Sequence, residues 1–156
     1  MEITKFKKTD IQEIIHLFYD TVHTVNTKDY SKDQLDAWAP LNDIQWKRKA
    51  WSKSLSENIT YVAKINNTIV GFCDITIDGL LDRLYVHKDF QRKGIASDLL
   101  YKLESEARNL KLQEIQTYAS ITAKVFFENH DFTSISINYV ERNGTILTNF
   151  LMKKRL

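Results

Sequence analysis

The stretch that decides the fold is Leu84-Tyr85-Val86-His87-Lys88-Asp89-Phe90-Gln91-Arg92-Lys93-Gly94-Ile95-Ala96. Leu84 to Val86 read as the end of a strand. After Gly94, the residues Ile95, Leu99, Leu100, Leu103, Ala107 and Leu110 fall on one side of a helix. Between them lies a short basic loop. Backbone N–H groups at such a helix start have no intrahelical partners and attract anions. Gly94 lets a phosphate come close to the backbone, Ala96 keeps the next turn small, and Arg92 and Lys93 add positive charge. A single glycine excludes both G-x-x-x-x-G-K-[ST] and a three-glycine dinucleotide fingerprint. A basic surface loop without a ligand is the competing reading of this hexapeptide taken alone.

Upstream, β-branched and aromatic residues form three runs, Tyr61 to Ile65, Thr68 to Ile77 and Leu80 to His87, punctuated by Asn66-Asn67 and Asp78-Gly79. Such dipeptides accept the positive φ of tight hairpin turns, so three consecutive antiparallel strands are expected. Before them, residues 2 to 7 alternate as a short first strand. Thr9-Asp10-Ile11-Gln12 has capping-box spacing, and Ile11, Ile14, Ile15, Phe18 and Val22 make an apolar stripe to about residue 24. Ser31-Lys32-Asp33-Gln34 opens a short helix that Pro40 ends. A third helix, capped by Asn42 or Asp43, carries Trp46, Ala50, Trp51, Ser54 and Leu55. Downstream, Glu114 to Tyr118 reads as a strand and Thr122 to about Asn129 as a short helix. Phe132 to Glu141 and Thr145 to Lys153 then form a hairpin around Asn143-Gly144. This order predicts a single α/β domain over residues 1–156, a three-layer α-β-α architecture around a mixed, mostly antiparallel sheet of about seven strands.

Composition narrows the class. With 156 residues, 43% apolar and 27% charged, the chain suits one self-sufficient core. No apolar run approaches a membrane span of roughly 18 residues, and Met1-Glu2-Ile3-Thr4-Lys5 lacks a secretory apolar segment, so no membrane partner and a cytoplasmic location are expected. A net charge of +2 is too small to argue for nucleic acid. Lys47-Arg48-Lys49 reads as a solvated helix face. Cys73, the only cysteine, reads as packing in a strand, and no histidine has a zinc-site partner at i+4, so no metal is expected.

The stretch from Leu84 to Ala96 resembles the acetyl-CoA motif of the GNAT N-acetyltransferases, Q/R-x-x-G-x-G/A with its preceding strand. Ala123, Phe126, Glu128 and Phe132 resemble that family's later A-x-x-x-x-E-x-x-x-F helix. The resemblance covers nearly the whole chain and implies the GNAT fold, with acetyl-CoA as cosubstrate and an amine as acceptor. The loop amides of Gln91, Arg92, Lys93, Gly94, Ile95 and Ala96, with Ser97 close by, would bind the CoA pyrophosphate. The backbone of Leu84, Tyr85 and Val86 would pair with the peptide-like pantetheine, as an added strand does. In this family the fourth and fifth strands splay to free that backbone, usually at a bulge. Family members are often dimers, so a homodimer is a further expectation.

Acetyl transfer to an amine needs a base, because a lysine-like amine has a pKa of about 10.4. Asp82 is the candidate; strand alternation places it on a face with Leu80, Leu84 and Val86. The competing reading is a structural carboxylate paired with Arg83 or a helix start. The oxyanion would be met by a backbone N–H near Tyr85 or Val86. Many family members place a tyrosine before Glu128 as the acid for the departing thiolate, and here that position in the cofactor site is Phe127. Tyr118 is the nearest substitute by sequence, against the alternative of a half-buried packing tyrosine. Asp131 replaces the family's usual glycine before Phe132. Tyr30-Ser31, Gln34 and Ala37-Trp38-Ala39-Pro40 resemble a Y-S-x-x-Q-x-x-A-W pattern of small bacterial GNAT proteins. Ser31 and Gln34 are explained as a capping box, and Tyr30 and Trp38 are either core or the lining of an acceptor pocket. The missing tyrosine also leaves open a non-catalytic acyl-CoA-binding module on the same scaffold.

Overall fold

Seven strands form one sheet in the order β1-β2-β3-β4-β5-β7-β6 in the computed structural model, which describes residues 1–156. The strands are β1 (Glu2–Lys5), β2 (Ile59–Ile65), β3 (Thr68–Ile75), β4 (Leu80–Val86), β5 (Glu114–Ser120), β6 (Thr133–Arg142) and β7 (Thr145–Arg155). All neighbours pair antiparallel except β4 and β5, which run parallel. The helices are α1 (Ile11–Thr24), α2 (Lys32–Trp38), α3 (Ile44–Glu57), α4 (Ile95–Asn109) and α5 (Lys124–Asn129). This matches the expected order of elements and the expected layers.

Alternation along the strands feeds two cores, one on each face. Phe72 of β3 and Val62 of β2 pack with Ile14, Ile15, Phe18 and Val22 of α1 and Leu55 of α3. Cys73, Val70 and Ile75 of β3 pack the other way, with Leu99, Leu100 and Leu103 of α4 and Phe127 of α5. At about 25 cal/mol per Å² of buried apolar surface, each face supplies a large share of the folding free energy. Gly71 sets how closely α4 approaches β3. A Cβ there would come within 3.0 Å of Leu99 Cδ1 and 3.1 Å of Ile95 Cγ2. A larger residue would push away the first turn of α4, the turn that faces the site. No helix is long and apolar enough to cross a membrane.

Two local readings change. The box expected at Thr9 and Gln12 does not form. A 3₁₀ turn at Lys8–Asp10 leads into α1, and the Lys7 N–H donates to the Asp10 carboxylate at 2.9 Å, which also pairs with Lys64 at 3.4 Å. Asp10 is the N-cap of α1, so Thr9 falls inside the preceding 3₁₀ turn and is not at the capping position. In α3 the inward stripe is Ile44, Lys47, Trp51 and Leu55, while Trp46 is exposed. Lys47 is therefore not on a solvated face. Its stem is buried and its ammonium sits 5.1 Å from the Phe18 ring and 5.2 Å from the Trp51 ring, with Asp43 at 4.0 Å. Burial lowers its pKa, partly opposed by Asp43.

Candidate active site

The sheet opens where β4 meets β5. Only Leu80↔Gln116 and Leu81↔Thr117 pair before the strands part. On the other side of β4, Asp74 opposes Arg83 and Ile75 opposes Leu81, so Asp82 is the extra residue of a β-bulge. The bulge overturns one expectation. Leu84 and Val86 pack toward the α4 core and Tyr85 toward the α1 core. Asp82 does not share the face of Leu84 and Val86; its carboxylate lies 3.5 Å from Arg83 and is 44% exposed.

The bulge also decides which backbone groups are free. The His87 N–H donates to the Val70 carbonyl at 2.8 Å, and the β3–β4 register then runs unbroken back to Arg83. Antiparallel pairing alternates, so Tyr85 spends its N–H and C=O on Phe72 while those of Leu84 and Val86 point away from β3, into the opening. The oxyanion donor expected near Tyr85 or Val86 therefore narrows to Leu84 or Val86. One acceptor of this set is already used: the Val86 carbonyl accepts from Gln91 Nε2 at 2.6 Å and from Thr21 Oγ1 at 3.2 Å. Gln91 thus fastens the loop to the end of β4.

The loop itself turns twice through positive φ, at Arg92 (58°) and Gly94 (82°). Gly94 is the N-cap of α4 and has nothing within 4 Å of where a Cβ would stand, so the approach to the first helical amides is open. A residue with a side chain would be strained there by its backbone and would also stand in the approach. Ser97, one turn in, donates its hydroxyl to His130 across a 3.0 Å contact.

A cleft of about 1120 Å³ runs through this opening. Its lining includes every sequence-nominated residue except Lys93: Asp82, Leu84, Tyr85, Val86, Gln91, Arg92, Gly94, Ile95, Ala96, Ser97, Tyr118, Phe127, Tyr30 and Trp38. Lys93 is exposed, with its ammonium 5.3 Å from the Phe90 ring. Phe127 is buried, edge-on to Phe126 and Phe132, and offers the cleft only a ring surface. Asp82 and Tyr118 are the first residues beyond the paired Leu81 and Thr117, so they stand on opposite lips of the fork. Tyr118 is 47% exposed and its hydroxyl makes no hydrogen bond within the protein.

Behind Asp82, Arg83 is held on three sides. It donates to Asp74 at 2.6 Å and Ser54 at 2.8 Å, and lies 4.6 Å from the Trp51 ring. Burial pushes the Asp74 carboxyl up to about 6 against the opposing pull of Arg83. Tyr85 is enclosed by Phe18, Phe72 and Trp38, whose indole N–H reaches its phenol. Burial raises that phenol well above its ordinary range, so it keeps its proton.

The end of the cleft away from α4 is built from side chains. Tyr30 accepts from the Ile121 N–H at 2.9 Å and donates to the Thr148 carbonyl at 2.7 Å, tying the turn before α2 to the end of β5 and to β7. The Ser31–Gln34 box forms as expected, and Gln34 also donates to the Ile146 carbonyl at 3.1 Å. Tyr30 and Trp38 therefore both brace the wall and line it, with their rings 5.3 Å apart. Sequence reasoning missed Asn26, Asp29 and Thr122, which are hydrogen-bonded in a row at 3.0 and 2.8 Å. It also missed Arg142 and the pair Asn138–Asn149 at 2.8 Å. That last pair was findable, because its members are equidistant from the Asn143-Gly144 turn.

Comparison with known proteins agrees with this geometry. The profile of the family described as the acetyltransferase (GNAT) domain matches residues 26–156. An Escherichia coli protein described as the uncharacterized N-acetyltransferase YafP is 34% identical over 154 residues, covering 98% of this chain and 95% of its own. A crystal structure from Rhodopseudomonas palustris, described as a GCN5-related N-acetyltransferase, superimposes with a TM-score of 0.94 at 26% identity, over 99% of this chain and 95% of that one. The PaiA N-acetyltransferase of Thermoplasma acidophilum, solved with coenzyme A, shares the fold at a TM-score of 0.77 and 19% identity, over 99% and 98% of the two chains. The chain belongs to the GNAT acetyltransferase family.

Proposed function

We propose that the protein transfers an acetyl group from acetyl-CoA to a primary amine, on a small molecule or a protein terminus, by direct attack within a ternary complex. The observation that carries this reading is the fork: free backbone N–H groups at Leu84 and Val86, an anion-binding helix start beside it, and Asp82 and Tyr118 on its two lips. CoA lies with its pyrophosphate on the amides of α4 and its pantetheine along β4. The bound coenzyme of the Thermoplasma relative supports this choice of ligand.

In this reading Asp82 accepts a proton from the acceptor's ammonium, directly or through water, which its partial exposure permits, and the neutral amine so formed attacks the thioester carbonyl. The N–H of Leu84 or Val86 meets the developing oxyanion. Tyr118 donates a proton to the departing thiolate, the task that Phe127 cannot perform. The aromatic wall of Tyr30 and Trp38 suits a flat or cationic acceptor. The Y-S-x-x-Q-x-x-A-W segment supports a place among the small bacterial members that carry it.

Phe127 favours one alternative, an acyl-CoA-binding module without turnover. Thiol release from acetyl-CoA, followed across a panel of amines, separates the two. Amine-dependent release is the expected result; tight CoA binding with release that no amine accelerates would replace the enzyme with the module.

A further inference from the structure

The contact between Ser97 and His130 lies outside the roles assigned so far, and its hydrogen bonds can be followed atom by atom. His130 Nδ1 lies 2.8 Å from the Phe126 carbonyl, which can only accept. Nδ1 therefore carries a hydrogen, and in the neutral ring Nε2 is a bare acceptor. The Ser97 hydroxyl, 3.0 Å away, must then donate to Nε2. Its only proton is directed away from the cleft that Ser97 lines, and lone pairs are presented where the coenzyme's anionic oxygens would come. The ring is fixed in this pose from a third side, by the Phe126 ring at 4.4 Å.

Adding a proton to His130 reverses the relay. Both ring nitrogens become donors, Nε2–H donates to Ser97 Oγ, and the Ser97 O–H is free to turn toward a phosphate oxygen. We propose that His130 is a positioning residue for the coenzyme, orienting the Ser97 hydroxyl onto the CoA pyrophosphate and taking up a proton from solvent as CoA binds. This rests on reading the start of α4 as the pyrophosphate site.

The charged groups around the ring are few. The loop before α4 brings Arg92 and Lys93, and α4 brings Asp98 next to Ser97. Glu128 of α5 is paired with Lys124 at 3.4 Å, and Asp131 follows in the turn. No carboxylate lies within 4.0 Å of His130, so the arriving pyrophosphate would be the anion that faces the ring through Ser97.

The test is calorimetric titration with dephospho-CoA, which keeps the pyrophosphate but lacks the 3′-phosphate, whose own titration near pH 6 would confuse the result. Affinity is expected to be roughly three- to tenfold tighter at pH 6 than at pH 8, the direction that proton uptake on binding requires. Repeating the titration in two buffers of different ionisation heat should register proton uptake. His130→Gln, whose amide does not titrate, should bind with an affinity independent of pH. Ser97→Ala should also lose the pH dependence although its histidine is intact. A flat wild-type profile, or a Ser97→Ala protein that keeps the full dependence, would overturn the relay while leaving the pyrophosphate site standing. No binding at either pH would overturn the site and the relay together.

Discussion

The two ends of the cleft are made from different parts of the chain. At the proposed coenzyme end the groups that matter are mostly backbone: amides after Gly94, and the N–H and C=O groups of Leu84 and Val86 turned outward by the bulge at Asp82. At the proposed acceptor end they are side chains, Tyr30 and Trp38 before and within α2, and Asn138, Arg142 and Asn149 on the β6–β7 hairpin. A backbone site depends on dihedral angles and tolerates most substitutions. A side-chain site changes with every residue. One scaffold can therefore keep its coenzyme while varying its acceptor.

Changes at the two ends should consequently fail in different ways. The largest effect is expected from Gly94→Glu, which places bulk and negative charge in the open approach to α4. CoA affinity should fall by about a thousandfold or more in calorimetry, with a backbone strain cost of only about 1–2 kcal/mol in thermal unfolding. Unchanged affinity would break the comparison at its coenzyme end. Next comes Asp82→Asn. Turnover should drop on the order of a hundredfold at pH 7 and by less as the pH approaches the amine's own pKa, with CoA affinity nearly constant. A wild-type pH–rate profile would remove Asp82 from the chemistry. Tyr30→Phe deletes both bonds of the clamp and should cost about 1–3 kcal/mol of stability in denaturant titration, with the KM for the amine rising more than that for CoA. An equal rise in both would show that the ends are less independent than their construction suggests.

The smallest effect concerns Lys47, behind the acceptor wall. Burial lowers its folded-state pKa, so between that value and 10.5 the unfolded chain holds the proton more firmly. Wild-type stability should rise with pH across that window. Lys47→Met should match or exceed wild type at pH 7 by up to about 1 kcal/mol and lose the rise, as Tm measured against pH would report.

Local pattern carried most of the fold. The meander, the α4 stripe and the Asn143-Gly144 hairpin each depend on neighbours within a few residues, and each formed. The turn into α4 at Gly94 was legible for the same reason. The face of Asp82 was not, because a single inserted residue reverses a period-two reading and nothing in Leu81-Asp82-Arg83 marks the bulge. Lys47 was misread because its environment comes from Phe18, Trp51 and Asp43, which helical periodicity within α3 does not identify. Asn26, Asp29 and Thr122 meet across more than ninety residues of chain. Their grouping exists only once α1 and β5 have been brought to the same cleft.

The alternation along β4 should also leave a mark on solvent isotope exchange. Amides of Tyr85 and His87 are locked in the ladder to β3 and should exchange only when the sheet opens, whereas the Leu84 and Val86 amides face the cleft and should exchange within the intact fold. Four consecutive residues would then show a fast-slow-fast-slow pattern in the free protein. Saturating coenzyme should slow Leu84 and Val86 and leave their neighbours as they were, making the strand a built-in reporter of occupancy.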